Sequence, residues 1–171
     1  HFLYNTLDTI CWQAKLAGND AIFDTTYSLA SLLRASMGNT DPYITVSQEL
    51  SYIRDYIQIQ KARFRDKIQA NIAVEPALMP VMIPKLILQP IVENALLHGI
   101  MMKEEKKGTI LLTGWKEGND IVFVISDDGA GIPPEKLDSL LDEHTQAVVG
   151  SSSRHIGVSN TNLRLKSLYG S

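Results

Sequence analysis

Cysteine is nearly missing from this chain of 171 residues, which carries only Cys11. A single thiol rules out an internal disulfide and a metal site built on cysteines, and the count suits a reducing, cytosolic compartment. Charge of one sign is lacking too. Against 16 Lys and Arg stand 19 Asp and Glu, a formal charge of −3, so the basic surface that a phosphate backbone needs is absent and nucleic-acid binding is not expected. No run of about 18 apolar residues occurs, and no charged segment leads into an apolar one, so neither a membrane-crossing helix nor a signal peptide is expected. No internal repeat is visible. With 44% hydrophobic and 20% charged residues, the composition is that of a folded protein, and the length allows one ordinary domain or two small ones. The chain opens at His1 inside an amphipathic pattern and stops at Leu168-Tyr169-Gly170-Ser171 without a closing element. It reads as a fragment of something longer.

Leu3, Leu7, Ile10 and Ala14 recur with spacings of four, three and four, the seam of a helix packed in a bundle, and predict a helix from His1 to about Leu16. Gly18-Asn19-Asp20 breaks it. A second helix, from about Ala21 to Met37, carries Ile22, Phe23, Leu29, Ala30, Leu33 and Met37. That face is wider than one partner helix covers, which points to a hairpin pairing with a second copy in a four-helix bundle. Gly38 to Tyr43 is the best domain boundary.

Beyond it, Thr45-Val46-Ser47-Gln48 fits a capping box that opens a helix to about Arg65, with Val46, Leu50, Ile53, Ile57 and Phe64 as its buried stripe. Lys67 to Val74 alternates like a strand, and Pro76 to Pro84 is irregular. Leu86 to His98 predicts an apolar helix, in which Pro90 is tolerable only near the first turn. Thr109 to Lys116 and Ile121 to Ser126 predict strands joined by a hairpin at Glu117-Gly118-Asn119-Asp120. After them come a glycine-bearing loop from Asp127 to Pro134, a short helix at about Glu135 to Asp142, a mobile loop from Thr145 to Ser153 and a last helix from Val158 to Leu168. This order of elements indicates an α+β fold, with a helical module over residues 1–40 and a second domain over residues 44–171.

Four segments could carry chemistry. At about 100° per residue, His1, Asn5, Asp8 and Trp12 sit roughly 200° from the seam, so His1 points outward. A solvated imidazole presents a free lone pair near neutral pH and can act as a nucleophile. Asn94 and His98, four apart, share a face of an otherwise apolar helix, and an amide oxygen is a hard donor suited to a hydrated Mg²⁺. Val124-Ile125-Ser126-Asp127-Asp128-Gly129-Ala130-Gly131 delivers an acid from a strand into a loop with two glycines. There Asp127 can accept from an exocyclic amine, while Gly129 and Gly131 let backbone approach a flat ring. Finally, Gly157 precedes the last helix, an arrangement suited to phosphate.

Together these segments resemble the LytS/YesM-type sensor histidine kinases, whose core joins a helical phosphoacceptor module to a Bergerat-type (GHKL) ATP-binding sandwich. The resemblance covers nearly the whole chain. His1-Phe2-Leu3-Tyr4-Asn5 is similar to the H-box, which implies that His1 accepts the γ-phosphoryl group of ATP and that Asn5 assists one turn on. Gln89-Pro90-Ile91-Val92-Glu93-Asn94-Ala95-Leu96-Leu97-His98-Gly99 resembles the N-box, with Asn94 at the Mg²⁺ position and His98 beside the nucleotide. Asp127, Gly129 and Gly131 match the G1 box, Asp127 standing where adenine is read, and Gly157, Val158, Asn160 and Arg164 resemble the G2 region. The resemblance further implies a homodimer, a response-regulator receiver domain as the next phosphoryl acceptor, and a membrane-anchored full-length protein with this part in the cytoplasm.

The chain departs from the family pattern in four places, and a fifth position separates it from the related ATPases. Phe2 follows His1 where many kinases carry an acid, and Asp8 lies about 10 Å down the helix axis. Leu97 stands where a phosphate-contacting lysine is common, leaving His98 or a loop lysine such as Lys103 as substitutes. His155 replaces a glycine at the start of the G2 region, and the family's last two strands are missing, so the sheet is expected to be incomplete. Pro90 occupies the place of the water-activating glutamate of GHKL ATPases, which weighs against an ATP-driven clamp. A third reading, a dimeric module with a degenerate nucleotide site, draws on Leu97, His155 and the missing strands.

Overall fold

A computed structural model describes residues 1–37, 41–133 and 156–170. The expected helix at Glu135 to Asp142, the expected mobile loop at Thr145 to Ser153, and His155 lie outside the described residues. The chain divides into two compact units, residues 1–68 with 75–85 and residues 69–74 with 86–171.

The first unit begins with α1 (Phe2–Leu16) and α2 (Asp20–Met37). Gly18 turns the chain between them with a left-handed φ of 67°, and Asn19 Oδ1 then accepts from the Ile22 N–H at 3.2 Å, a side-chain cap for α2. The buried stripe of α1 corrects the expected seam. Leu7, Cys11 and Ala14 face inward, whereas Leu3 and Ile10 stay 49% and 39% exposed. Leu7 and Ala14 are thus buried as expected, and Cys11 takes the place of Leu3 and Ile10, since a thiol behaves as a small hydrophobe. Strand β1 (Tyr43–Thr45) runs into α3 (Val46–Phe64), and the capping box forms as expected: the Thr45 side chain accepts from Gln48 N, and the Gln48 side chain accepts from Thr45 N. Leu50 and Ile53 are wholly buried on α3. Ser31 Oγ on α2 donates to Asp55 on α3 at 2.5 Å. Because of this packing α3 sits with the hairpin, across the boundary drawn at Gly38 to Tyr43.

The segment expected to be irregular, Pro76 to Pro84, contains a short strand. Strand β3 (Met82–Pro84) pairs antiparallel with β1, Tyr43 opposite Pro84, leaving β2 (Ile68–Val74) to the sheet of the second unit. That sheet has the order β2-β4-β5. Strands β4 (Gly108–Glu117) and β5 (Asp120–Asp127) form the expected antiparallel hairpin, with Glu117 opposite Asp120 and Ile110 opposite Asp127. Burial alternates along β4, with Gly108, Ile110, Leu112 and Gly114 inside, as one covered sheet face requires.

The apolar helix starts later than expected. Leu86 has a φ of 58°, a left-handed value no helix interior tolerates in a branched residue, so α4 spans only Gln89–Asn94. Pro90 then falls in its first turn, where the missing N–H costs nothing. A π turn (Ala95–Gly99) and a 3₁₀ turn (Ile100–Met102) continue the segment, burying Leu96 and Ile100 completely. Helix α5 (Ile156–Tyr169) packs against α4. It begins two residues before the expected Val158, so Gly157 lies inside its first turn and not ahead of it. The fold class is the expected α+β, helices first and a sheet-bearing domain after.

Candidate functional site

His1 precedes α1 at the N-cap position, exposed, and its side chain makes no capping bond. Its carbonyl accepts from the Asn5 N–H at 3.1 Å, which places Asn5, also exposed, one turn along. Asp8 is committed elsewhere. Its Oδ1 accepts from Arg34 Nη2 of α2 at 2.7 Å, and that guanidinium lies 5.9 Å from the centre of the Tyr4 ring, whose hydroxyl donates to Leu33 O at 3.1 Å. The first two turns of α1 are thus tied to α2 by polar contacts, with the imidazole left open to solvent. Deeper in the hairpin, burial pushes the Cys11 thiol above its usual range, the Asp8 carboxylate adds to the rise, and Arg34 partly opposes it.

The second unit gathers the other expected residues from three segments. Asn94 ends α4 with its Nδ2 fully buried and without a hydrogen-bond partner among the described residues. Such an amide costs free energy unless something meets it. The π turn that follows delivers Gly99 beneath the glycine loop. A Cβ on Gly99 would run into the Asp127 carboxylate, and a Cβ on Gly129 would run into the Gly99 backbone, so each glycine is what lets the other segment in. Ala130 N donates to Gly99 O at 3.1 Å, and Gly129 N donates to Asp127 Oδ1 at 2.9 Å. Gly131 takes a φ of 74° with open space around the place its Cβ would fill.

His98 is half-buried in the π turn and makes a contact of its own. On α5, Asn160 is exposed and Arg164 is half-buried and engaged; the burial of Gly157 and the side chain of Val158 lie outside what the structure describes. Lys103 corrects an expectation. Its ammonium is not held out for a phosphate; Nζ donates to the carbonyl of Asp128 at 2.9 Å. Sequence reasoning assigned no role to Gly99, Gly108 or Asp128. A glycine closing the N-box segment was the available signal, and its partner lies about thirty positions away.

The residues present fit a nucleotide with a hydrated cation. Gly99 and Gly129 form a cradle without Cβ atoms beside Asp127, and the amide oxygen of Asn94 is the hard donor such a cation takes, its unpaired Nδ2 being a donor that can meet only an acceptor. No group of three or more His, Cys, Asp or Glu residues that could cage a metal occurs among the described residues. A magnesium ion that keeps its waters needs few protein ligands. The described residues also include no helix long and apolar enough to cross a membrane.

Known proteins share this sequence pattern over its whole length. The Bacillus subtilis protein YwpD is 35% identical over all of this chain, which spans 59% of YwpD. The sensor histidine kinase/phosphatase LytS of Staphylococcus aureus is 27% identical over 99% of this chain, which spans 29% of LytS. The chain therefore covers less than two thirds of either relative. Among solved structures, the histidine kinase domain of a blue-light activated histidine kinase from Erythrobacter litoralis EL346 overlays with a TM-score of 0.46 at 18% identity, covering 92% of this chain and 71% of that one. Residues 1–68 match the histidine kinase family, and residues 82–171 match the histidine kinase-, DNA gyrase B- and HSP90-like ATPases. With its helical start and glycine-cradled sheet unit, the chain belongs to the family of histidine kinase-, DNA gyrase B- and HSP90-like ATPases, as a histidine kinase core of the LytS type.

Proposed function

We propose that the chain is the ATP-dependent protein-histidine kinase core of a two-component sensor, with His1 as phosphoryl acceptor. The observation that carries the proposal is the interlock of Gly99, Asp127 and Gly129, because it leaves backbone and one carboxylate, without side-chain bulk, where a flat base would lie. Asp127 accepts from the adenine amine, Gly129 and Gly131 admit the ring, and Gly157, Val158, Asn160 and Arg164 attend the phosphates with His98. Asn94 holds a Mg²⁺ ion, which when bound supplies charge neutralisation for the phosphates. An imidazole nitrogen of His1 forms the N–P bond as the bond from the γ-phosphorus to the ADP oxygen breaks, and the ring gives up its proton to solvent. Asn5 steadies the phosphoryl group. The work of the protein is positioning and electrostatics, as phosphoryl transfer demands.

In this reading residues 1–40 form the dimerisation and phosphotransfer segment and residues 44–171 the ATP-binding domain. A second copy covers the apolar side chains left exposed on the hairpin, a receiver-domain aspartate of a response regulator takes the phosphoryl group next, and the whole protein is anchored in the cell membrane with this part in the cytoplasm.

Incubating the full-length protein with γ-labelled ATP tests the proposal. Acid-labile, alkali-stable label is expected on the wild type and none on His1→Gln, with ATP affinity unchanged because the His1 side chain is exposed. Asp127→Asn should lose ATP affinity instead. Label persisting in His1→Gln would overturn the assignment of His1, and ATP affinity persisting in Asp127→Asn would overturn that of Asp127.

A further inference from the structure

Asp128 makes none of the proposed nucleotide contacts, yet it fastens the loop that does. Its Oδ1 accepts from the Thr109 N–H at 2.8 Å, and its own N–H donates to Thr109 O at 3.3 Å. Lys103 Nζ donates to its carbonyl at 2.9 Å and lies 3.9 Å from Oδ1. A Cβ on Gly108 would collide with this carboxylate, so the glycine that opens β4 leaves the room the contact needs. Asp127, by contrast, is exposed, and the hydrogen bond its carboxylate accepts comes from Gly129 inside the same loop. Its carboxylate also lies against Gly99, so its direction is set by its own loop and by how that loop sits on the turn after α4.

We propose that Lys103 and Asp128 are positioning residues for base recognition, clipping the loop to the start of β4 and to the turn after α4 so that Asp127 meets the adenine amine. The inference rests on the reading of Asp127 given above. With side chains 28% and 56% exposed, the ion pair itself contributes little. The fastening comes from the lysine-to-carbonyl bond and the pairing with Thr109.

A clip acting through Asp127 and a lysine acting on phosphate differ in what they discriminate. The phosphate contact strengthens every nucleoside triphosphate alike, whereas the clip matters only where an exocyclic amine is read. Inosine triphosphate, with a carbonyl in that place, separates the two. For the full-length protein, calorimetry should show the ratio of ATP to inosine triphosphate affinity falling about fivefold in Lys103→Met, the scale of one hydrogen bond, and recovering in Lys103→Arg. Asp128→Ala should lower it as well. Amide hydrogen exchange at Thr109, Gly129 and Ala130 should quicken in Lys103→Met without any nucleotide present. Equal weakening of both nucleotides, or an unchanged ratio with unchanged exchange, would overturn the proposal. A wild type that binds both nucleotides equally would refute the reading of Asp127 instead, while the exchange rates still judge the clip.

Discussion

The helical hairpin and the sheet unit treat their apolar residues in opposite ways. On α1, Phe2, Trp12 and Leu16 are 84%, 70% and 86% exposed, and the first turns are tied to α2 by Tyr4, Asp8 and Arg34. In the sheet unit, Val92, Leu96, Ile100, Ile110 and Leu112 are at most 1% exposed. The sheet unit thus has a core of its own, although Met102, Ile132 and Tyr169 stay exposed on it, while the hairpin presents on α1 an apolar surface of the kind that marks an interaction site. The difference matches the division of labour proposed for them. A nucleotide cradle needs a rigid frame of its own, whereas a phosphoacceptor helix that works in a dimer keeps part of its packing for a second copy.

The largest test of this contrast is a pair of truncations. Leu112→Ala should cost about 3 kcal/mol of unfolding free energy, the usual range for a buried leucine, and Leu16→Ala less than about 0.5 kcal/mol, both measured by denaturant unfolding in dilute protein. A comparable loss for Leu16→Ala would break the contrast by showing that its face is already covered. Next in size is Gly129→Ala, whose methyl group meets Gly99 backbone that cannot swing aside. It should cost about 2 kcal/mol, as overpacking does, with ATP binding lost in calorimetry. Full affinity in that variant would show that the two segments part easily.

The smallest effect is a pH dependence confined to the hairpin. The Cys11 thiol is raised above its usual range by burial and by Asp8, so the folded state favours the protonated form. Its contribution is fully present below the unfolded thiol pKa and is lost as pH rises through the folded one. Unfolding experiments should therefore show the wild type losing stability in the alkaline range relative to Cys11→Ala, and alkylation of Cys11 should be slow at neutral pH. Fast alkylation at pH 7 would place the thiol in solvent.

What the sequence determined by itself is whatever rests on neighbours a few positions apart. The capping box at Thr45 and Gln48, the hairpin at Glu117 to Asp120 and the place of Pro90 in a first turn all follow from contacts within one turn, where residue type dictates geometry. The order of the motifs was also legible, and with it the family. The tertiary structure alone decided which flank of α1 is buried, because Leu7, Cys11 and Ala14 or Leu3 and Ile10 satisfy the helical period almost equally until α2 is in place. It alone decided where α4 begins, since Lys85 N donates to Pro42 O at 2.9 Å and the pairing of β1 with β3 keeps the chain extended up to the reversal at Leu86. Lys103 and Asp128 are 25 positions apart, and no local rule brings them together. A lysine in a loop reads as a free cation until the fold supplies the carbonyl that holds it.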